Sequence, residues 1–222
     1  MALILNIETS TTNCSVALSK DGKTISLKQT NKASYSHAKL LHQHIDEVFK
    51  DSNLSRTTID AVAVSKGPGS YTGLRIGVST AKGLCYALNK PLIALPTLEV
   101  LAHQVKIKEG YIIPMLDARR MEVYASIFDS NYQIIRETQS EILTENAYQK
   151  YLAENKVSFI GSGVVKTKTL INHPNAEFIL NKLPSANEMG FLSEKKFKTS
   201  NFEDIAYFEP SYLKDFQGQK LT

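Results

Sequence analysis

The sequence predicts an α/β fold with mixed sheets, arranged as two lobes. Three observations lead there. Residues 3 to 29 read as three closely connected strands, an apolar run over 3–7 and period-two alternation over 14–18 and 24–29, with a hairpin signal at Asp21-Gly22. The hydrophobic period then lengthens to that of a helix, and strands and helices alternate up to about residue 105. A similar order begins again at Tyr111. A chain of 222 residues can bury roughly 70% of its unfolded surface, enough for one large domain or two small lobes.

Taken in order, residues 3–7 are an apolar run ending in Glu8-Thr9-Ser10-Thr11-Thr12, followed by strands over 14–18 and 24–29. From Ser36 to Phe49, Leu40, Leu41, His44, Ile45, Val48 and Phe49 recur at amphipathic-helix spacing. Strands follow at 59–65 and 91–95, with helices at about 71–88 and 97–105. The second half reads as strand 111–116, strands 122–128 and 133–137 around an Asp129-Ser130-Asn131 turn, helix 144–154 and strand 157–160. Helix 164–171, strand 177–180 and helix 186–198 complete it. The halves share pattern, with negligible residue identity. Two lobes of this order suggest the actin-like ATPase fold, residues 1–108 forming the first lobe and 109–222 a smaller, trimmed second one.

The chain is organised around Lys66 to Leu88. A buried-looking strand runs into Gly67-Pro68-Gly69, which permits a tight turn, and Ser70 or Thr72 can cap the helix that follows. Inside that helix Gly73, Gly77 and Ala81 fall at steps of four and share one face. Each glycine costs a helix about 1 kcal/mol against alanine, so the small face is expected to be offset by close packing. Spacing alone leaves two recipients open: the chain's own sheet, or a second protein chain. No Gly-Lys-Ser/Thr follows the glycines, so the turn is not a Walker loop.

Gly67-Pro68-Gly69-Ser70-Tyr71-Thr72-Gly73-Leu74-Arg75-Ile76-Gly77 with Ala81-Lys82-Gly83-Leu84 resembles the signature of the TsaB (YeaZ) family. The opening Ile4-to-Ser10 segment, Lys90 to Leu98, Asp117-Ala118-Arg119-Arg120-x-Glu122-Val123-Tyr124 and Pro210-x-Tyr212-Leu213 resemble it as well, in the expected order and across most of the chain. The resemblance implies a non-catalytic subunit of the complex that transfers threonylcarbamoyl to the adenosine beside the anticodon of tRNAs reading ANN codons. It implies two partners, a TsaD-type catalytic paralogue and a small TsaE-type ATPase, with any tRNA contact indirect or weak. It also implies that the helices at 36–49 and 71–88 form the partner-binding surface, through Leu40, Leu41, His44, Ile45, Tyr71, Gly73, Leu74, Gly77, Val78 and Ala81. The same surface is expected to self-associate as a two-fold homodimer when the partner is absent.

In an actin-like fold the first hairpin cradles phosphate and an acidic residue organises Mg²⁺. Glu8, Thr9, Ser10 and Thr11 fit that role by type, with Asp117 as the second acidic position and Gly161-Ser162-Gly163 as the nucleotide-proximal loop. Degenerate nucleotide architecture, working ATP hydrolysis and ordinary turns all remain open from the residues alone. An autonomous actin-like ATPase or small-molecule kinase is thus the competing function.

The resembling catalytic family carries a His-x-x-x-His metal pair after its Lys-Pro-Leu strand; here Thr97 and Leu101 occupy those positions, and leucine cannot ligate a metal. His103 is off register, and His37, His42, His44 and His173 form no convincing set, so neither metal nor cofactor is expected. A peptidase, the third reading, would need a metal pair or a nucleophile motif that the sequence does not provide. Cys14 and Cys85 read as reduced intracellular thiols, no apolar run nears the roughly 20 residues of a membrane span, and the cytoplasm is the expected location. A net charge of +4 permits RNA contact without demanding it. The run Glu194-Lys195-Lys196-Phe197-Lys198 reads as a solvated helix face.

Overall fold

A computed structural model describes residues 2–31 and 37–214. The first sheet holds β1 (Leu3–Glu8), β2 (Asn13–Lys20), β3 (Lys23–Asn31), β4 (Ala61–Gly67) and β5 (Leu92–Pro96), in the order β3-β2-β1-β4-β5. The second holds β6 (Tyr111–Asp117), β7 (Glu122–Asp129), β8 (Ile134–Ile142), β9 (Val157–Ile160) and β10 (Ala176–Ile179), in the order β10-β9-β6-β7-β8. The two orders are the same once each sheet is counted from its own first strand. In both, the hairpin strands pair antiparallel and the crossover strands parallel. The repeat read from the sequence is therefore a repeat of topology, and the fold is the two-lobed actin-like arrangement.

The helices α1 (His37–Ser52) and α2 (Tyr71–Leu88) cover the outer face of the first sheet. Leu41, Ile45, Val48 and Phe49 from α1 and Val78, Ala81 and Cys85 from α2 bury against Leu5, Ile7, Val16, Leu18, Val62 and Val64. The expected start of α1 at Ser36 lies outside the described residues. Ser70 caps α2 by accepting from Gly73 N at 3.2 Å, and Asn89 ends it in the left-handed region at φ 51°. The outer face of the second sheet carries the short α4 (Gln149–Glu154) and α5 (Val164–Leu170), which is the trimming read from the sequence. The sequence predicts a helix from 144, but Tyr148 takes φ 64° and leaves only 149–154 helical.

Between the sheets lie α3 (Thr97–Ala102) and α6 (Ala186–Lys198). Here the structure departs from the expected lobe assignment. The sequence order places α6 with the second lobe, yet its Ala186, Met189 and Leu192 pack on Ile4, Ala17, Ala61 and Ile93 of the first sheet. Their spacing makes one apolar stripe, and burying Met189 and Leu192 contributes about 2 kcal/mol each. The chain then stays on the first lobe: Glu203 N bonds Leu92 O at 2.9 Å and Ser211 N bonds Lys66 O at 2.7 Å. By packing, residues 186–211 belong with the first sheet.

Candidate functional site

The glycine face of α2 is filled from inside the molecule. Thr9 Oγ1 donates to Gly73 O at 2.8 Å, and a Cβ built on Gly73 would overlap the Thr9 carbonyl oxygen. A Cβ on Gly77 would overlap Thr9 Oγ1, and one on Gly69 would overlap the Ser10 carbonyl. Ser70 N donates to Ser10 O at 2.6 Å, so the start of α2 is bound directly to the turn after β1. Of the two recipients left open by the spacing, the chain's own sheet is the one observed. This corrects the expected partner-binding set. Gly73, Leu74, Gly77, Val78 and Ala81 on α2, with Leu41, His44 and Ile45 on α1, are buried and present no surface; Leu40 and Tyr71 are half-buried.

The turn-one residues are buried too. Glu8, Thr9, Ser10 and Thr11 all lie below 10% exposure. The Glu8 carboxylate accepts from Ser10 N at 2.6 Å and from the Ser65 hydroxyl. Burial pushes its pKa up, against the pull of those donors. His37 Nε2 meets Thr11 O at 2.6 Å. These side chains serve to lock α1, α2 and β4 onto the first hairpin.

The corresponding turn of the second lobe is open. Asp117 is exposed, and its backbone N–H donates to Ser162 Oγ at 3.0 Å, so the structure brings Asp117 and the Gly161–Gly163 loop together. Gly161 takes φ 117°, against Met115 O. Lys166 pairs with Asp117 at 3.1 Å and donates to Arg120 O at 2.7 Å and Glu122 O at 2.8 Å. Arg119 and Arg120 both have positive φ, 69° and 48°. The bonds described for Glu8–Thr11 run to β2, α1, α2 and β4, and none runs to Gly161–Gly163.

The outward face of α2 carries Thr72, Arg75, Ser79, Gly83, Tyr86 and Ala87. A Cβ added at Gly83 would meet nothing within 4 Å, so within this chain its helix cost is not offset. A C-terminal strap, residues 203–214, runs alongside. Lys82 Nζ donates to Ala206 O at 3.2 Å and Phe208 O at 3.0 Å. The Tyr212 ring packs on Tyr71 at 4.7 Å, Arg75 lies over Tyr71 at 4.2 Å, and Lys214 reaches across to pair with Glu122. That pairing, with Ser140, holds the Glu122 carboxyl below its ordinary value.

Sequence reasoning missed this outer face and the strap. The outer face was readable, because Leu74, Val78, Ala81 and Cys85 share the helix arc of Gly73 and Gly77 and so point that arc at the core. The strap has no periodic pattern and offered no signal beyond Pro210-x-Tyr212-Leu213.

Other reactive groups are in structural use. His103 stacks on Tyr132 at 4.1 Å, His44 Nε2 meets Thr30 Oγ1 at 3.0 Å, and His173 Nδ1 accepts from Asn175 N at 3.1 Å. Thr97 and Leu101 are fully buried. Both thiols are buried and pushed up to about 12, chiefly by desolvation. Among the described residues no three His, Cys, Asp or Glu side chains converge on one point, and no helix is long and apolar enough to cross a membrane.

The family model described as "TsaD: tRNA N6-adenosine threonylcarbamoyltransferase" matches residues 25–219. The "tRNA threonylcarbamoyladenosine biosynthesis protein TsaB" of Bacillus subtilis is 27% identical over 219 residues, covering 95% of this chain and 93% of that protein. The TsaB of Buchnera aphidicola subsp. Schizaphis graminum is 30% identical over 200 residues, covering 83% of this chain and 94% of that one. A Pseudomonas aeruginosa crystal structure of "an uncharacterized protein with similarity to peptidase YEAZ" superposes with a TM-score of 0.86 at 24% identity, covering 96% of this chain and 100% of that one. This chain belongs to the TsaB (YeaZ) family.

Proposed function

We propose that this TsaB-family chain supports threonylcarbamoyladenosine formation on tRNA as a non-catalytic subunit, by binding a TsaD-type catalytic paralogue. The observation that carries this is similarity to TsaB proteins along nearly the whole of both chains. The site chemistry supports it. Thr97 and Leu101, at the positions where the catalytic relatives are expected to hold metal, are core residues. Glu8, Thr9, Ser10 and Thr11 of turn one are buried and the Thr9 hydroxyl is bonded to α2, which weighs against an autonomous ATPase or kinase.

The docking surface in this reading is the outward face of α2, around Thr72, Ser79 and Gly83, with the exposed Lys39, His42 and Gln43 of α1 beside it. Ser79, Gly83 and Ala87 fall at steps of four on this face and would let a partner helix approach closely. The same face would pair two copies of the chain when the partner is absent. A small TsaE-type ATPase completes the complex, no cofactor is held by this subunit, and the cytoplasm is its place of action.

The test is a reconstituted reaction. The paralogue from the same cell is assayed for threonylcarbamoyl transfer to tRNA with and without this chain. Activity that depends on the chain, together with co-purification, is expected. Full activity of the paralogue alone, or failure to co-purify, would overturn the reading.

A further inference from the structure

We propose that the turn 117–122, extended by the C-terminal strap, is a phosphate-contacting ridge for RNA. The proposal rests on the tRNA-directed role above. Arg119 and Arg120 are consecutive, exposed, and both in the left-handed region that costs a non-glycine residue of order 1 kcal/mol or more. Such backbone persists only where its surroundings over-determine it, and here they do. Arg119 N donates to Asp117 Oδ1 at 2.6 Å, Ala118 N to Glu122 O at 3.0 Å, and Glu122 N to Arg119 O at 3.1 Å. The Lys166 ammonium ties the Arg120 and Glu122 carbonyls from beneath.

The result is a stiff turn presenting two guanidinium groups. Neither has an ion-pair partner among the described residues, whereas the neighbouring carboxylates of Asp117 and Glu122 are taken by Lys166 and Lys214. Local charge is therefore positive where it is free to meet a ligand. Lys214 joins this turn to the strap, and the strap carries on into Tyr212, Tyr71 and Arg75, a stack of two tyrosines and a guanidinium. Guanidiniums fit phosphate in two-pronged fashion, and the exposed Tyr212 ring, backed by Tyr71, can accept a base of any sequence. A cationic turn continued by a cluster of tyrosines and a guanidinium fits a nucleic-acid backbone better than an acidic peptide.

The experiment measures affinity of the full chain for unmodified tRNA by fluorescence anisotropy across a salt series. The variant is Arg119→Gly with Arg120→Gly, because glycine adopts these φ values without strain and the turn is kept. The control is Lys156→Ala, an exposed lysine just before β9, a strand length away from Asp117. Partner pull-down is run on the same samples. The expected result is about a tenfold loss of tRNA affinity for the double variant, with the salt slope reduced by about two, unchanged pull-down, and little change in the control. The inference is overturned if tRNA fails to bind the wild-type chain at low salt, or if the double variant behaves like the control. It is also overturned if the double variant loses the protein partner but keeps tRNA, which would make the turn a protein contact. Loss of pull-down in the wild-type chain would instead count against the subunit role itself.

Discussion

The first hairpin of each lobe occupies the same place in the same strand order, and the two have opposite fates. After β1 the turn is buried, bonded to α2 through the Thr9 hydroxyl, to α1 through the Thr11 carbonyl and to β4 through the Glu8 carboxylate. After β6 the turn is exposed, held in left-handed backbone, and lined with arginine and lysine. The sequence at each turn accounts for the difference. Short Thr and Ser side chains can be satisfied by backbone at close range, and glycines on α2 let that backbone come within reach. Long guanidiniums have no such option and remain in solvent. Turns at equivalent places in the strand order thus serve packing in one lobe and surface in the other.

The comparison can be broken most forcefully at the glycine face. Gly77→Leu drives a side chain into Thr9, which is fully buried, and is expected to cost on the order of 3 kcal/mol in folding stability, read by denaturant unfolding. A variant that unfolds like wild type would return that face to the surface.

A smaller effect isolates Glu8. Its raised pKa means the folded chain holds that proton more tightly than the unfolded chain, so stability is full below the ordinary value of 4.5 and falls as pH rises through the folded value. Glu8→Gln stays neutral across that window. Chemical denaturation from pH 4.5 upward should show wild-type stability declining relative to the variant, by about 1.4 kcal/mol for each unit between the two pKa values. Parallel curves would mean that Glu8 ionises without penalty.

On the outer side of α2 the sign reverses. Gly83→Ala meets open space and should stabilise the isolated chain by up to about 1 kcal/mol, measured as a rise in the midpoint of thermal unfolding. The least effect belongs to the strap's reach across the lobes. Lys214 and Glu122 are a partly exposed pair, and a double-mutant cycle should give about 0.5 kcal/mol of coupling, shrinking in high salt.

Much of the fold was legible because period and order are local properties. The switch from alternation to helical spacing between residues 29 and 36, and the similar order that begins again at Tyr111, located both sheets. The destination of α6 was not legible, since its stripe of Ala186, Met189 and Leu192 fits either sheet and only the tertiary contacts choose the first. For the site, the structure joins Asp117 to the Gly161–Gly163 loop at the ends of the neighbouring strands β6 and β9. The small face of α2 is legible as a close-packing surface, while its spacing leaves the recipient open and the family resemblance points it outward. Periodicity identifies a face and leaves its partner unnamed, although the apolar residues sharing that arc pointed inward. Arg119 and Arg120 stood in a motif used only for resemblance, and positive φ at arginine has no compositional signal.

The most direct measurement of the central claim, that α2 faces its own sheet on one side and a catalytic partner on the other, uses Gly83→Trp. An indole there has room in the free chain but would hold a docking helix away. Thermal unfolding of the isolated variant and pull-down of the TsaD-type partner are read together. The predicted result is an unfolding midpoint no lower than wild type, with partner binding lost and tRNA threonylcarbamoylation in the reconstituted reaction reduced in step. A variant that folds normally and still binds the partner at wild-type strength would contradict it.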